Sequence, residues 1–324
     1  MRVIVDALGG DNAPEEIVKG ALLAAQDGIE ILLTGDEERL KPLVGDADNI
    51  EIVHAPEEIS CDEDPIAAAK QKKKSSLVAG LMMLKEGKAD AFVSAGSTGA
   101  LIGAASLYVR RIPGVRRMAL APVMTFDEMP MLLMDSGANM DCKAEYLVQF
   151  AVMGSIYMEK VLGIEKPRVA LLNVGVEEAK GNSLTKEAYQ LLKDAPINFT
   201  GNIESREVLS GSAHVIVSDG FAGNILLKGI EGVANFFSKK LKSMFMANTR
   251  TKIAALMVKK EMNQFKKSMS QDGVGGAPML GADGVVFKAH GNAKANEIHS
   301  AIKQAVEFVK CGVNANIKEF INKN

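Results

Sequence analysis

A chain of 324 residues, 47% hydrophobic and 24% charged, holds ample apolar mass for a packed core, which excludes global disorder. A net charge of −2, 5% aromatics and no Trp argue against both duplex binding and a stacking platform for single strands, so no nucleic-acid partner is expected. No run of 18 apolar residues is present to span a membrane, and the opening Met1–Asp6 reads as a first strand rather than a signal peptide.

In chain order, β-branched runs at Arg2–Val5, Glu30–Thr34, Ile50–His54, Ala91–Ser94, Met131–Met134, Arg168–Asn173, Asn198–Gly201 and His214–Ser218 predict strands. Helical apolar spacing falls between them at Glu15–Gln26, Pro65–Glu86, Gly99–Arg110, Ala144–Leu162 and Thr185–Leu192. Such alternation predicts a mostly parallel sheet with helices on both faces, in one large α/β unit over 1–324. Cys61, Cys142 and Cys311 are far apart and form no Cys-x-x-Cys pair, so neither a disulfide framework nor a structural zinc site is expected.

Ligands of open α/β sheets bind beyond the carboxyl ends of the strands. Those ends carry the unusual residues here. They read Asp6-Ala7-Leu8-Gly9-Gly10-Asp11, Ser94-Ala95-Gly96-Ser97-Thr98-Gly99-Ala100 and Asp135-Ser136-Gly137-Ala138-Asn139. Further on come Asn173-Val174-Gly175 with Lys180-Gly181-Asn182, then Ser218-Asp219-Gly220-Phe221-Ala222-Gly223-Asn224, then Lys288-Ala289-His290-Gly291. Glycine beside a small polar residue lets backbone N–H groups approach an anion, and a following helix adds its positive end. No Gly-x-x-x-x-Gly-Lys-[Ser/Thr] occurs, which excludes a P-loop.

Residues 238–267 break the rhythm. Nine Lys and Arg stand against Glu261 alone, a local net of +8. Apolar residues recur at helical spacing through Phe237, Leu241, Met244 and Phe245, and again from Ile253, Leu256 and Met257 to Phe265 and Met269. Asn248-Thr249 interrupts them as a candidate N-cap. The pattern predicts an inserted amphipathic helical hairpin over 233–270. Its basic apolar surface suits anionic lipid, with Ile253, Leu256 and Met257 as the membrane contact, or alternatively an acidic protein; a core helix pair with a solvated basic face is the plain alternative.

Together the glycine loops, with Lys72-Lys73-Lys74-Ser75-Ser76, resemble in content and order the bacterial phosphate acyltransferase family, the acyl-carrier-protein:phosphate transacylases of phospholipid synthesis. The resemblance spans nearly the whole chain. It implies a dimeric three-layer α/β/α enzyme, similar in fold to phosphotransacetylases and isopropylmalate dehydrogenases. It implies transfer of a fatty acyl group from acyl carrier protein to inorganic phosphate. The acyl phosphate formed would pass to a membrane glycerol-phosphate acyltransferase, from a cytoplasmic enzyme attached peripherally to the membrane.

Phosphate is already anionic, so attack on a thioester needs placement and oxyanion stabilisation more than a base, and no cofactor or metal is expected. On that reading Lys180 and Asn224 serve the phosphate or the oxyanion. Asn224 also suits an N-cap. His290 is a candidate to protonate the departing thiolate. Substrate contact is expected from Asp6, Gly9, Gly10, Asp11, Ser94, Gly96, Ser97, Thr98 and Gly99. The same is expected of Asp135, Asn139, Asn173, Gly175, Asn182, Asp219 and Gly220. Asp6 and Asp11 are as suited to fixing their loop as to touching substrate, whereas Asp135 and Asp219, when ionised, suit holding backbone amides or orienting Lys180. Two basic clusters, Lys70 with Lys72–Lys74 and Arg110, Arg111, Arg116 and Arg117, are candidates to dock an acidic carrier. Competing readings are a transacylase using acyl-CoA, a metal- and NAD-dependent dehydrogenase, and a non-catalytic scaffold at the membrane surface.

Overall fold

The computed structural model describes residues 1–60, 62–126, 129–262 and 275–323; Cys61, Phe265, Lys266, Lys267 and Met269 lie outside them. Its strands form two sheets. The larger draws on both ends of the chain: β1 (Arg2–Asp6), β2 (Glu30–Gly35), β3 (Ile50–His54), β4 (Ala91–Ser94), β5 (Ala119–Leu120), β11 (Ala277–Leu280) and β12 (Val285–Lys288). The smaller holds β6 (Val123–Phe126), β7 (Met129–Met134), β8 (Arg168–Asn173), β9 (Asn198–Glu204) and β10 (Val215–Val217). Their orders are β3-β2-β1-β4-β12-β11-β5 and β6-β7-β10-β8-β9. Pairing is parallel except at β11 and at the edge strands β5 and β6. Those three short strands carry no β-branched run long enough to stand out in the sequence.

Helices α1 (Glu15–Gln26), α2 (Glu37–Val44), α3 (Pro65–Gln71), α4 (Ser76–Lys85) and α5 (Thr98–Ala104) follow the first strands. Then come α6 (Ala144–Leu162), α7 (Ser183–Asp194), α8 (Gly220–Phe245), α9 (Thr249–Met257), α10 (Ala295–Lys310) and α11 (Val313–Lys323). The single helix expected over Pro65–Glu86 is two. Lys72 leaves the helical conformation, and the Ser75 hydroxyl caps α4 by accepting from Val78 N–H at 3.3 Å. The freed strand-like stretch pairs with Glu57, whose N–H reaches the Lys74 carbonyl. The polar run Lys70–Ser76 interrupts the apolar spacing there, and a serine that satisfies an orphan amide starts a new helix. The helix expected at Gly99–Arg110 starts one residue early, capped by Ser97, and closes in a π-turn at Ala105–Val109.

Phe92, Phe150, Phe287, Ile4 and Ile17 are wholly buried between helices and sheets, each contributing about 1.5–3 kcal/mol by leaving water. Gly20 of α1 lets α10 come close, since a Cβ there would stand 2.6 Å from Ile298 Cβ. In register across the large sheet, Thr34, Asp6, Ser94 and Lys288 end neighbouring strands as one buried polar row.

Candidate functional site

Three clusters of strand-end residues are built by the two sheets. The first closes on Asp6. Its carboxylate accepts from the Ser94 hydroxyl at 2.6 Å and from Leu8 N–H at 3.3 Å. Burial pushes its pKa up against those bonds and one from Ser76. Gly9 and Gly96 are there because the backbones touch: a Cβ on Gly9 would lie 2.5 Å from Asp6 Oδ2 and 2.7 Å from Gly96 N. Asp11 N–H donates to the Gly291 carbonyl at 2.7 Å, and Gly10 (φ 109°) packs on the same carbonyl. The loops after β1, β4 and β12 are therefore one assembly. Ser97 caps α5, whose first turn holds Thr98 and Gly99. A small cavity of about 10 Å³ lies among Asp6, Gly9, Gly96, Ser97, Glu58 and Ser76.

The second cluster closes on Asp135, buried at the end of β7. One carboxylate oxygen accepts from the N–H groups of Leu120, Gly137 and Ala138; the other takes Asn139 N–H at 2.6 Å and its side-chain amide at 2.9 Å. Burial still pushes the carboxyl upward. Asp219 caps α8 by accepting from Ala222 N–H at 2.7 Å. The cap role considered for Asn224 thus belongs to Asp219. Asn224 sits one turn further on, half-buried, against Gly137, where it makes no side-chain hydrogen bond among the described residues. Gly220 N–H donates to the Asn139 carbonyl at 2.7 Å, and a Cβ on Gly223 would stand 1.9 Å from the Asp135 carbonyl oxygen. Helix and loop thus fix each other.

The third cluster follows β8. The Asn173 side-chain amide donates to the Lys180 carbonyl at 3.3 Å, and Gly181 (φ 93°) turns the chain. Asn182 caps α7 by accepting from Thr185 N–H at 2.9 Å. The Lys180 stem crosses Gly175, where a Cβ would meet Lys180 Cγ at 2.9 Å. Its ammonium is exposed and makes no ion pair among the described residues. No hydrogen bond or ion pair among the described residues joins Lys180 to Asp135 or Asp219; both aspartates hold backbone amides instead.

The relatives show what kind of enzyme this is. Residues 1–316 match the family described as fatty acid synthesis protein. The phosphate acyltransferase of Oceanobacillus iheyensis is 48% identical over 319 residues, covering 98% of this chain and 96% of that protein. That of Clostridium acetobutylicum is 47% identical over 312 residues, 94% of each. The chain belongs to this phosphate acyltransferase family. The fold is likewise similar to a phosphotransacetylase from Streptococcus pyogenes, with a TM-score of 0.64 at 15% identity over 96% of this chain and 94% of that one.

In a phosphate acyltransferase every strand-end group is a candidate for phosphate or acyl thioester. His290 faces α8, its Nε2 4.0 Å from Glu231 Oε2, while its Nδ1 accepts from Asn292 N–H at 3.3 Å. The neighbouring Glu231 carboxylate holds its pKa above the ordinary histidine value. Burial holds the Cys142 thiol at about 12, so it offers no thiolate nucleophile at neutral pH. The other histidines serve the fold: His54 and His214 accept backbone N–H groups, and His299 pairs with Asp27 at 2.7 Å.

Two residues escape sequence reasoning about this acyltransferase. Glu231 lies mid-helix, with no glycine loop to mark it. Lys288 is buried at the end of β12, where its ammonium donates to the carbonyls of Ala95 and Ala289. Its signal was a lysine closing an otherwise apolar strand.

Proposed function

We propose that this acyltransferase moves a fatty acyl group from the thioester of acyl carrier protein to inorganic phosphate, supplying acyl phosphate for phospholipid synthesis. The observation that carries this reading is how the polar groups divide. The buried carboxylates of Asp6 and Asp135 and the capping carboxylate of Asp219 are turned inward on their own loops. The Lys180 ammonium, the Asn224 carboxamide and the Thr98 and Gly99 amides at the start of α5 are left for a ligand. A site offering a cation and N–H donors suits an anion and a developing oxyanion.

Phosphate oxygen attacks the thioester carbonyl. Lys180 and Asn224 lower the energy of the tetrahedral oxyanion by charge and hydrogen bonding. The C–S bond then breaks, and His290, proton-bearing beside Glu231, gives its proton to the thiolate. Main-chain N–H groups of the glycine loops that have no internal partner meet the phosphate, with Gly96 and Asn139 at its rim.

No helix among the described residues is long and apolar enough to cross a membrane. Peripheral attachment to anionic lipid is supported by α9, where Leu256 is 71% and Met257 79% exposed, with Ile253 beside them and Arg250 and Lys252 nearby. Such a position would hand acyl phosphate to a membrane glycerol-phosphate acyltransferase. A homodimer is supported by the uncovered apolar residues along α8: Phe221, Ile225, Val233 and Phe236.

The test is an acyl phosphate assay with palmitoyl carrier protein and phosphate, run beside palmitoyl-CoA and phosphate. Product with the carrier thioester and much less with CoA is expected. The reverse ranking would overturn the donor assignment.

A further inference from the structure

We infer that the arginine face at residues 110–117 is the surface on which an acidic, thioester-bearing carrier protein docks, an inference that rests on the donor reading above. Four guanidiniums, of Arg110, Arg111, Arg116 and Arg117, are exposed on one short loop in a chain of net charge −2. None lies within ion-pair distance of a carboxylate among the described residues. The neighbouring acid, Asp283, is already engaged by Lys318 at 2.8 Å and Lys85 at 3.1 Å. The field of this face is therefore uncompensated, which suits an acidic surface.

The loop is also held in place. Arg110 takes a left-handed conformation (φ 67°), with its carbonyl accepting from Asp283 N–H at 2.9 Å. Ile112 N–H donates to the Gly281 carbonyl at 2.9 Å. The Gln149 side chain spans the loop, accepting from Arg116 N–H at 2.7 Å and donating to the Gly114 carbonyl at 3.0 Å. Arg117 stacks 5.1 Å above the Tyr146 ring. Arg110 and Arg111 line an open cavity of about 370 Å³ with Ser106, Ile112, Pro113 and Val115. Charge and shape are thus ready before a partner arrives, so little ordering cost is left for binding.

Position favours the same assignment. Arg117 precedes Met118, whose carbonyl accepts the Asn139 side-chain amide at 2.7 Å, within the loop where Asn224 meets Gly137. The rival cluster at Lys70–Lys74 follows a stretch with five acids, Glu57, Glu58, Asp62, Glu63 and Asp64, and Lys72 is bound to Glu63 at 2.7 Å. Part of that patch's charge is thus already met within the chain.

The experiment reads steady-state kinetics of Arg110→Glu/Arg116→Glu with palmitoyl carrier protein, with Lys73→Glu/Lys74→Glu as the control pair. The arginine variant should raise KM for the carrier thioester about tenfold or more. It should leave kcat at saturation and KM for phosphate unchanged, and flatten the salt dependence of kcat/KM. The lysine pair should behave as wild type. Melting temperature checks the fold, and Arg110→Gln/Arg116→Gln should show a smaller rise if the reversal destabilises it. An unchanged carrier KM in folded arginine variants, while wild type uses the carrier thioester, would place docking elsewhere. A wild type that turns over palmitoyl-CoA but not palmitoyl carrier protein would overturn the donor reading, and this surface with it.

Discussion

Lys180 and Asn224 are polar side chains held by their backbones rather than by partners of opposite charge. Lys180→Ala should therefore leave folding intact and lower kcat/KM by about two to three orders of magnitude, the scale for losing one oxyanion donor. Unchanged turnover in a folded variant would remove Lys180 from the chemistry. Because Asp219 provides the α8 cap, Asn224→Ala should cost little stability while lowering kcat. Asn224→Asp should be slower still, since it sets a carboxylate where negative charge develops; comparing kcat of the two variants decides it. The residues reachable from sequence were those whose chemistry is local, a lysine or asparagine flanked by glycine. Lys288 and Glu231 were not, because their significance comes from register with β4 and from the opposite helix, and neither relation leaves a mark along the chain.

At the level of elements, the glycine loops are joints. Gly223→Ala would drive a Cβ into the Asp135 carbonyl at 1.9 Å, and backbone cannot yield as a side-chain end does. The first turn of α8 and the Asp135 loop must then separate, so we expect a lowered melting temperature and loss of most activity in the same variant. Full activity at wild-type stability would contradict this packing. At the far end of the same region, Leu256→Glu should release the enzyme from anionic vesicles in a flotation assay, with turnover of soluble substrate retained. Equal flotation of both proteins would reject the lipid contact. Parallel strands and their helices were legible because β-branched runs and helical spacing alternate cleanly. The break at Lys72–Ser75 lies in the polar run Lys70–Ser76, which also suits the solvated turns of one long helix, and β5, β6 and β11 were hidden by their brevity. Their pairing partners lie far away in sequence.

Across the whole molecule, the pair of His290 and Glu231 ties the large sheet to the helix that leaves the small one. His290 is held above its ordinary pKa of 6.5, so the stabilisation is present at pH values below that figure. It is lost as pH rises through the raised value in the folded protein. Glu231→Gln should therefore lower the melting temperature most at about pH 6, with the difference narrowing above neutrality and a remainder left by the Lys228 contact at 2.8 Å. An identical difference at pH 6 and pH 9 would show that the pair does not titrate as described. The insertion of β12 between β4 and β11 has a consequence for biosynthesis. The small sheet is encoded in one continuous stretch and is whole once β10 has left the ribosome. The large sheet must wait, because the lysine that completes its polar row follows the β4 loop by 193 residues. Until then a nascent chain carries β4 as a bare edge, the kind that pairs with strangers. The large sheet is thus the last part of the enzyme to come into being, and a stalled or shortened polypeptide is born adhesive before it is ever born active.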